Sequence, residues 1–264
     1  MSHAGARGTA QRVVVAMGDA AAGREAVDAA VRLACALDAQ LTALFLENAD
    51  LARAAELPFL HETCALSGTV RPMAGPAMLR TLRTRAEQVV AAAAEASGVS
   101  WRFEVVRGSG VALACAGRDA LDVLVLAQAP RHGLAHAYAS ALSRPALDAR
   151  PVAVTVRDTP GAVRVLRAAQ AVASACGAPL LLLLAGDDVD DDRRLRQLTA
   201  QALGAVPKGT RYLALRNWNV DAIAAAARQH KARLLVCCDG ELRRDAARLE
   251  SLLARLRCPL VVAD

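Results

Sequence analysis

Pro151-Val152-Ala153-Val154-Thr155-Val156-Arg157-Asp158-Thr159-Pro160 is a β-branched apolar run closed by a turn cluster. It reads as a buried strand entering a helix. Shifted by 139 positions, it falls on Val13-Val14-Val15-Ala16-Met17; shifted by 108, it falls on Pro259-Leu260-Val261-Val262. One strand therefore stands where a duplicated chain needs two, the end of a first copy and the start of a second. Between these anchors, Trp101–Leu126 aligns with Tyr212–Cys237 at a shift of 111 without gaps.

Working outward, the first copy reads as strand Val13–Met17, helix Arg24–Leu37, strand Leu41–Leu46, helix Ala77–Ala96, strand Trp101–Val106, short helix Val111–Ala116, strand Asp122–Ala127 and helix Leu134–Leu147. Apolar residues at helical spacing (Val27, Val31, Ala34, Leu37) and continuous aliphatic strands carry these assignments. The connection Glu47–Pro76 is long, holds three prolines and carries Leu57-Pro58-Phe59-Leu60, a length expected of a lid. The second copy repeats the rhythm with shorter links: strand Val152–Val156, helix Ala162–Cys176, strand Leu180–Leu184, helix Asp191–Leu203, strand Arg211–Leu215, helix Val220–Gln229, strand Leu234–Cys238, helix Asp245–Arg257 and strand Leu260–Val262. Alternating strands and helices imply right-handed parallel crossovers. The expected fold is α/β, with two tandem doubly wound parallel-sheet domains, 1–149 and 150–264, each ordered 3-2-1-4-5.

The single strand between the copies has to be given to one of them. In that order the first strand is central and the fifth lies at an edge. Losing a central strand exposes apolar surface on two neighbours, at about 25 cal/mol per Å². Val152–Val156 therefore opens the second copy, and the first copy lacks a fifth strand of its own. The edge at Asp122–Ala127 then needs a cover, and the C-terminal strand of this or a partner chain is expected to supply it.

Composition sets the outer limits. Of 264 residues, 55% are hydrophobic and 22% charged, as in a packed globular chain. The longest aliphatic run, Leu180–Ala185, is far short of the ~20 residues that span a bilayer, so no membrane partner is expected. Val13–Met17 followed by Gly18-Asp19 makes no secretory signal. Seven cysteines, without a CxxC pair, suit reduced thiols and a cytoplasmic setting. The net charge of +6 is spread along amphipathic helices, as in Arg243-Arg244-Arg248-Arg255-Arg257, with few aromatics between, so nucleic acid is not expected.

Val13-Val14-Val15-Ala16-Met17-Gly18-Asp19, Arg24-Glu25-Ala26 and Ala34-Cys35-Ala36-Leu37-Asp38-Ala39-Gln40-Leu41-Thr42-Ala43-Leu44 resemble the universal stress protein family. Arg257-Cys258-Pro259-Leu260-Val261-Val262 looks like its closing segment, and the resemblance spans nearly the whole chain as a tandem pair. It implies a nucleotide at the carboxyl ends of strands one and four, where crossovers diverge in this topology. It also implies a loop G-x2-G-x9-G-[S/T] after strand four, whose N–H groups meet phosphate. Carried onto this chain, the three glycines fall on Ala127, Pro130 and Ser140, and the hydroxyl on Ala141; Pro130 has no N–H to offer. The strand-one aspartate falls on Gly18, with Asp19 one residue late, and Gly133 remains. These residues, with Met17, outline a vestigial crevice in which ATP or AMP is not expected. In the second copy Cys237-Cys238-Asp239-Gly240-Glu241-Leu242-Arg243 stands at the loop, where two acids repel phosphate. Asp158 suits a helix N-cap.

Other clusters read as structural. Asp187-Asp188-Val189-Asp190-Asp191-Asp192 precedes Arg193, Arg194 and Arg196 and suits a helix N-terminus rather than calcium. His132 and His136 lack a third metal ligand at matching spacing, although His61 and Cys64 lie on the long connection. Arg107-Gly108-Ser109-Gly110 is a glycine-rich turn that could meet an anion through its N–H groups. Arg71 and Arg131 could face an acidic ligand in the crevice. Ser109 and Ser140 have no evident base, so no catalytic residue is assigned. The expectation is a non-enzymatic stress-response protein acting through a homodimer or another protein partner. One alternative is a small-molecule or nucleotide-binding protein using the first crevice under 47–76. The other is a nucleotide-dependent hydrolase or transferase.

Overall fold

In the computed structural model, residues 12–18, 20–47, 61–63, 67–72, 75–108, 111–116, 122–127, 150–186, 188–204, 206–238 and 240–263 are described, with 49, 53 and 57 singly. The elements are β1 (Arg12–Met17), α1 (Ala20–Leu37), β2 (Gln40–Glu47), β3 (His61–Thr63), β4 (Val70–Pro72), α2 (Gly75–Ala96), β5 (Trp101–Arg107), α3 (Val111–Cys115) and β6 (Val123–Leu126). There follow β7 (Val152–Val156), α4 (Ala162–Cys176), β8 (Leu180–Leu184), α5 (Val189–Leu203), β9 (Arg211–Ala214), α6 (Val220–Gln229), β10 (Leu234–Cys238), α7 (Gly240–Arg244), α8 (Ala246–Arg255) and β11 (Leu260–Ala263). Every strand expected from the sequence is present within a residue or two. Among the described residues, no helix is long and apolar enough to cross a membrane.

The expected doubly wound α/β fold is there, and its two sheets are joined edge to edge. Nine strands form one sheet in the order β5-β2-β1-β6-β11-β10-β7-β8-β9. Read inward from each edge, β9-β8-β7-β10-β11 is 3-2-1-4-5, while β5-β2-β1-β6 is 3-2-1-4 with no fifth member. The C-terminal strand β11 supplies the cover that the open edge requires. It pairs parallel with β10 and antiparallel with β6, setting Leu260 opposite Leu126, Val261 opposite Val125 and Val262 opposite Leu124. One strand thus serves both halves.

Alternation along the strands divides the core by sheet face rather than by chain half. Val13, Val15, Met17, Val152, Val154 and Val156 point to one side; Val14, Ala16, Ala153, Leu235 and Cys237 point to the other. Each apolar layer draws on both sides of residue 150. On the first face α1 packs against α4, and Arg32 Nη1 donates to the Ala175 carbonyl at 3.0 Å. Asp28 is drawn into this contact, and burial raises its pKa against the pull of Arg32, Arg24 and Arg233. On the second face α8 lies between α3 and α6; its Leu249, Leu252 and Leu253 recur at helical spacing and are buried.

Several local expectations are corrected. α1 begins at Ala20, because Ala20-Ala21-Ala22 extends the helix N-terminally. α2 begins at Gly75 with Pro76 in its first turn, where no intrahelical N–H is needed. The 47–76 connection contains the antiparallel hairpin β3–β4. The second-copy loop position is the short helix α7, and Asp245 then starts α8 by accepting the Arg248 N–H at 3.0 Å. Asp158 is no cap: α4 starts after Gly161 without a side-chain partner, and Asp158 pairs with Arg194 of α5. The helix expected at Leu134–Leu147 lies outside the described residues.

Beneath the junction sits a buried carboxylate. Asp122, fully buried, accepts from Arg12 Nε at 3.1 Å and Nη2 at 2.8 Å, and Arg243 of α7 donates to its backbone carbonyl at 3.1 Å. Asp122→Ala removes the carboxylate that faces the partly buried Arg12 guanidinium and is expected to cost about 3 kcal/mol, read as a lowered urea midpoint. Arg107→Ala, which breaks an exposed pair with Glu47, is expected to cost under about 1 kcal/mol. Equal losses would remove the junction's claim to be special.

Candidate functional site

Doubly wound sheets open a crevice at the carboxyl ends of the strands where the order reverses. In the first half that place is the end of β1 and β6. Met17 is buried there, its side chain against α1 so closely that a Cβ on Gly23 would stand 3.1 Å from Met17 Sδ. Gly18 is exposed, and a Cβ on it would meet only the Leu46 carbonyl at 3.8 Å, so packing does not demand glycine. The Ala127 N–H, where the family loop would begin, donates to the Ala16 carbonyl at 3.0 Å and extends the ladder. Asp19, Pro130, Gly133 and Ser140 lie outside the described residues, as do Ala141, Arg131, His132, His136 and Cys64. Among the described residues, Met17, Gly18 and Ala127 mark the first crevice.

The corresponding place in the second half is described nearly throughout. Thr155 near the end of β7 and Cys237 near the end of β10 are both buried and face the same side of the sheet. Trp218, from the β9–α6 connection, joins Val220, Ile223, Leu242, Arg248 and Leu252 around a cavity of about 10 Å³. That is room for about one water molecule. Among the described residues the buried Trp218 Nε1 has no acceptor, and the Arg157 guanidinium lies 5.9 Å from the indole centroid. Asn219 fixes the connection by accepting the Ala222 N–H at 2.8 Å as the cap of α6. Among the described residues, side chains of the chain itself reduce the cavity at this place to about one water's volume.

The glycine-rich turn after β5 has found an anion within the protein. The Val111 N–H donates to Glu250 Oε1 of α8 at 3.0 Å. Gly108 has φ of +147°, a backbone conformation that favours glycine, and a Cβ there would also press on the end of the Leu113 side chain at 2.1 Å. Ser109 and Gly110 are outside the described residues. The acidic run behaves as a helix start: Asp188 accepts the Asp191 N–H at 2.8 Å, and Asp190 pairs with Arg193 at 2.9 Å. His61 lies on β3, and the side chain of Arg71 is not described. Among the described residues, no three His, Cys, Asp or Glu side chains are grouped to hold a metal.

Sequence reasoning placed the crevices but missed two residues. Trp218 had a signal, being one of two tryptophans and set in a polar turn, Arg216-Asn217-Trp218-Asn219. Glu250 had none, since its partner amide is 139 residues away.

No protein-family model matches the chain, and no curated protein matches it. Its fold is shared with a universal stress protein from Archaeoglobus fulgidus DSM 4304, at 12% identity and a TM-score of 0.53 over 97% of each chain. The fold is the universal stress protein fold. A universal stress protein described as putative from Pseudomonas aeruginosa UCBPP-PA14 covers 97% of this chain and 94% of its own, at 11% identity and a TM-score of 0.47. A universal stress protein solved in complex with cAMP covers 44% of this chain and 98% of its own, at 25% identity and a TM-score of 0.37.

Two measurements check these assignments. Glu250→Ala should speed hydrogen exchange at the Val111 amide by removing a charge-assisted bond, at about 1.5 kcal/mol. Burial, aided by Glu25, raises the Cys258 thiol to about 12 from its ordinary 9.0. The folded state thus keeps a proton that the unfolded chain releases above pH 9. The Cys258 contribution to stability is full below that pH and is lost progressively toward 12. Cys258→Ala should flatten the alkaline fall of the denaturation midpoint in that window.

Proposed function

We propose that this chain is a tandem universal-stress-type protein that has given up ordinary ATP binding and acts in stress response through protein contacts, as a cytoplasmic homodimer or with another protein. The shared fold supports the family reading, and the repeated strand–helix rhythm supports the tandem one. The observation that carries the loss of nucleotide is the second crevice, closed around about 10 Å³ by Trp218, Leu242 and Leu252. Sequence agrees on the first side: Pro130 removes one donor from the loop position, and Ala127 and Ser140 replace two of its glycines. With neither phosphate loop retained, a hydrolase or transferase has nothing on which to hold its substrate.

A protein-contact role fits what the sheet leaves open. β5 and β9 are its two edges, and β5 carries Arg102, Glu104 and Arg107, charges that deter indiscriminate strand pairing. A polar edge of this kind selects its partner by charge rather than by apolar adhesion.

Isothermal titration with ATP and with AMP tests the reading. No saturable heat is expected at micromolar protein, and light scattering should give twice the mass of one chain. Micromolar binding of either nucleotide would overturn the reading.

A further inference from the structure

Among the described residues β5 has one neighbouring strand, β2, and its other side is an edge of the sheet. The Leu41 N–H donates to the Ser100 carbonyl at 3.0 Å, and the Gly108 N–H donates to the Glu47 carbonyl at 2.9 Å. In a parallel pair each residue turns both its backbone groups to one side, so these two bonds fix the parity of the strand. Even-numbered residues give their backbone groups to β2, while Trp101, Phe103, Val105 and Arg107 turn theirs outward. The side chains of Trp101, Phe103 and Val105 are half-buried on one face of the sheet, against its apolar layer. On the other face Arg102 and Glu104 stand together, with Arg102 Nη1 3.7 Å from Glu104 Oε1.

We infer that β5 is the contact between two copies of this chain, joined as antiparallel neighbours about a two-fold axis with Phe103 opposite the partner's Phe103. The inference rests on the homodimer reading above and gives that dimer its surface and register. Antiparallel strands meet through residues whose backbone groups point at each other, and charge then chooses among the registers that parity allows. A centre between Trp101 and Phe103 sets Arg102 opposite the partner's Arg102. A centre between Phe103 and Val105 sets Glu104 opposite the partner's Glu104. Centred on Phe103, Arg102 faces the partner's Glu104, twice by symmetry, at the non-hydrogen-bonded positions where side chains lie closest. On the other face that register sets the two Phe103 rings opposite each other and Trp101 opposite the partner's Val105, cross-strand pairs of the stabilising kind. The far edge, β9, offers no such match: its charged residue, Arg211, has no acid on the strand to oppose it.

The test measures the dimer dissociation constant of the full chain by sedimentation over a dilution series. Arg102→Glu sets like charges opposite each other in both symmetric pairs and is expected to raise that constant about tenfold or more, as is Glu104→Arg. The double exchange, Arg102→Glu with Glu104→Arg, restores opposite charges and should return the constant to within about threefold of the native value. Phe103→Cys should form a 103–103 disulfide on mild oxidation, read by mass spectrometry, because the Cα atoms of a hydrogen-bonded pair lie about 5.5 Å apart. Val105→Cys, opposite the partner's Trp101, should form no 105–105 link. A native chain that is monomeric throughout overturns the homodimer reading and this contact together. A dimer that neither single exchange weakens, that the double exchange does not restore, or that links at 105 and not at 103 overturns the β5 contact and leaves the homodimer reading standing. If an exchange variant does not fold, the links at 103 and 105 decide alone.

Discussion

Three antiparallel residue pairs, Leu260–Leu126, Val261–Val125 and Val262–Leu124, hold this molecule together. Without them the first half ends in an open edge at β6, and the apolar layers above and below the sheet lose their continuity. The pairing is fixed on each side by something other than backbone. α1 against α4 covers one face and α8 covers the other, and at the end of the seam Asp122 holds Arg12 while Arg243 holds the Asp122 carbonyl. A carboxylate removed from water in this way specifies position more than it adds stability. Its effect is to fix where β6 starts relative to β1 and to α7.

Two segments that a glycine-rich or acidic motif marks for ions turn polar groups inward to the fold. The turn after β5 points its amide at Glu250, and Asp188 spends its carboxylate on the start of α5. Both groups are satisfied internally, so the chemistry that a sequence motif advertises is consumed in building the fold.

Legibility in the sequence followed the range of the forces involved. Val152–Val156 and Leu180–Leu184 are unbroken aliphatic runs, and a strand buried on both faces has no other pattern to adopt. The need for a cover on β6 was also legible, because it follows from counting strands in a repeat. Its direction was not: whether β11 runs parallel or antiparallel to β6 depends on how the halves meet. The hairpin His61–Thr63 with Val70–Pro72 is too short to show alternation, and Gly240–Arg244 was hidden by alignment to a loop. The carboxyl ends of the strands located the crevices, since topology alone sets them. What fills the second crevice was illegible, because Trp218 reaches Thr155 and Cys237 only after β9 and α6 are in place.

Because β11 runs against β6, the strands of the two halves ascend in opposite senses. Their carboxyl ends, and the crevices there, therefore open at opposite poles of one slab. A body bound at one pole leaves the other bare, and no compact partner can straddle both. Two such molecules set end to end about a two-fold axis would meet through like poles, first half against first half or second against second, and each would keep its other pole free.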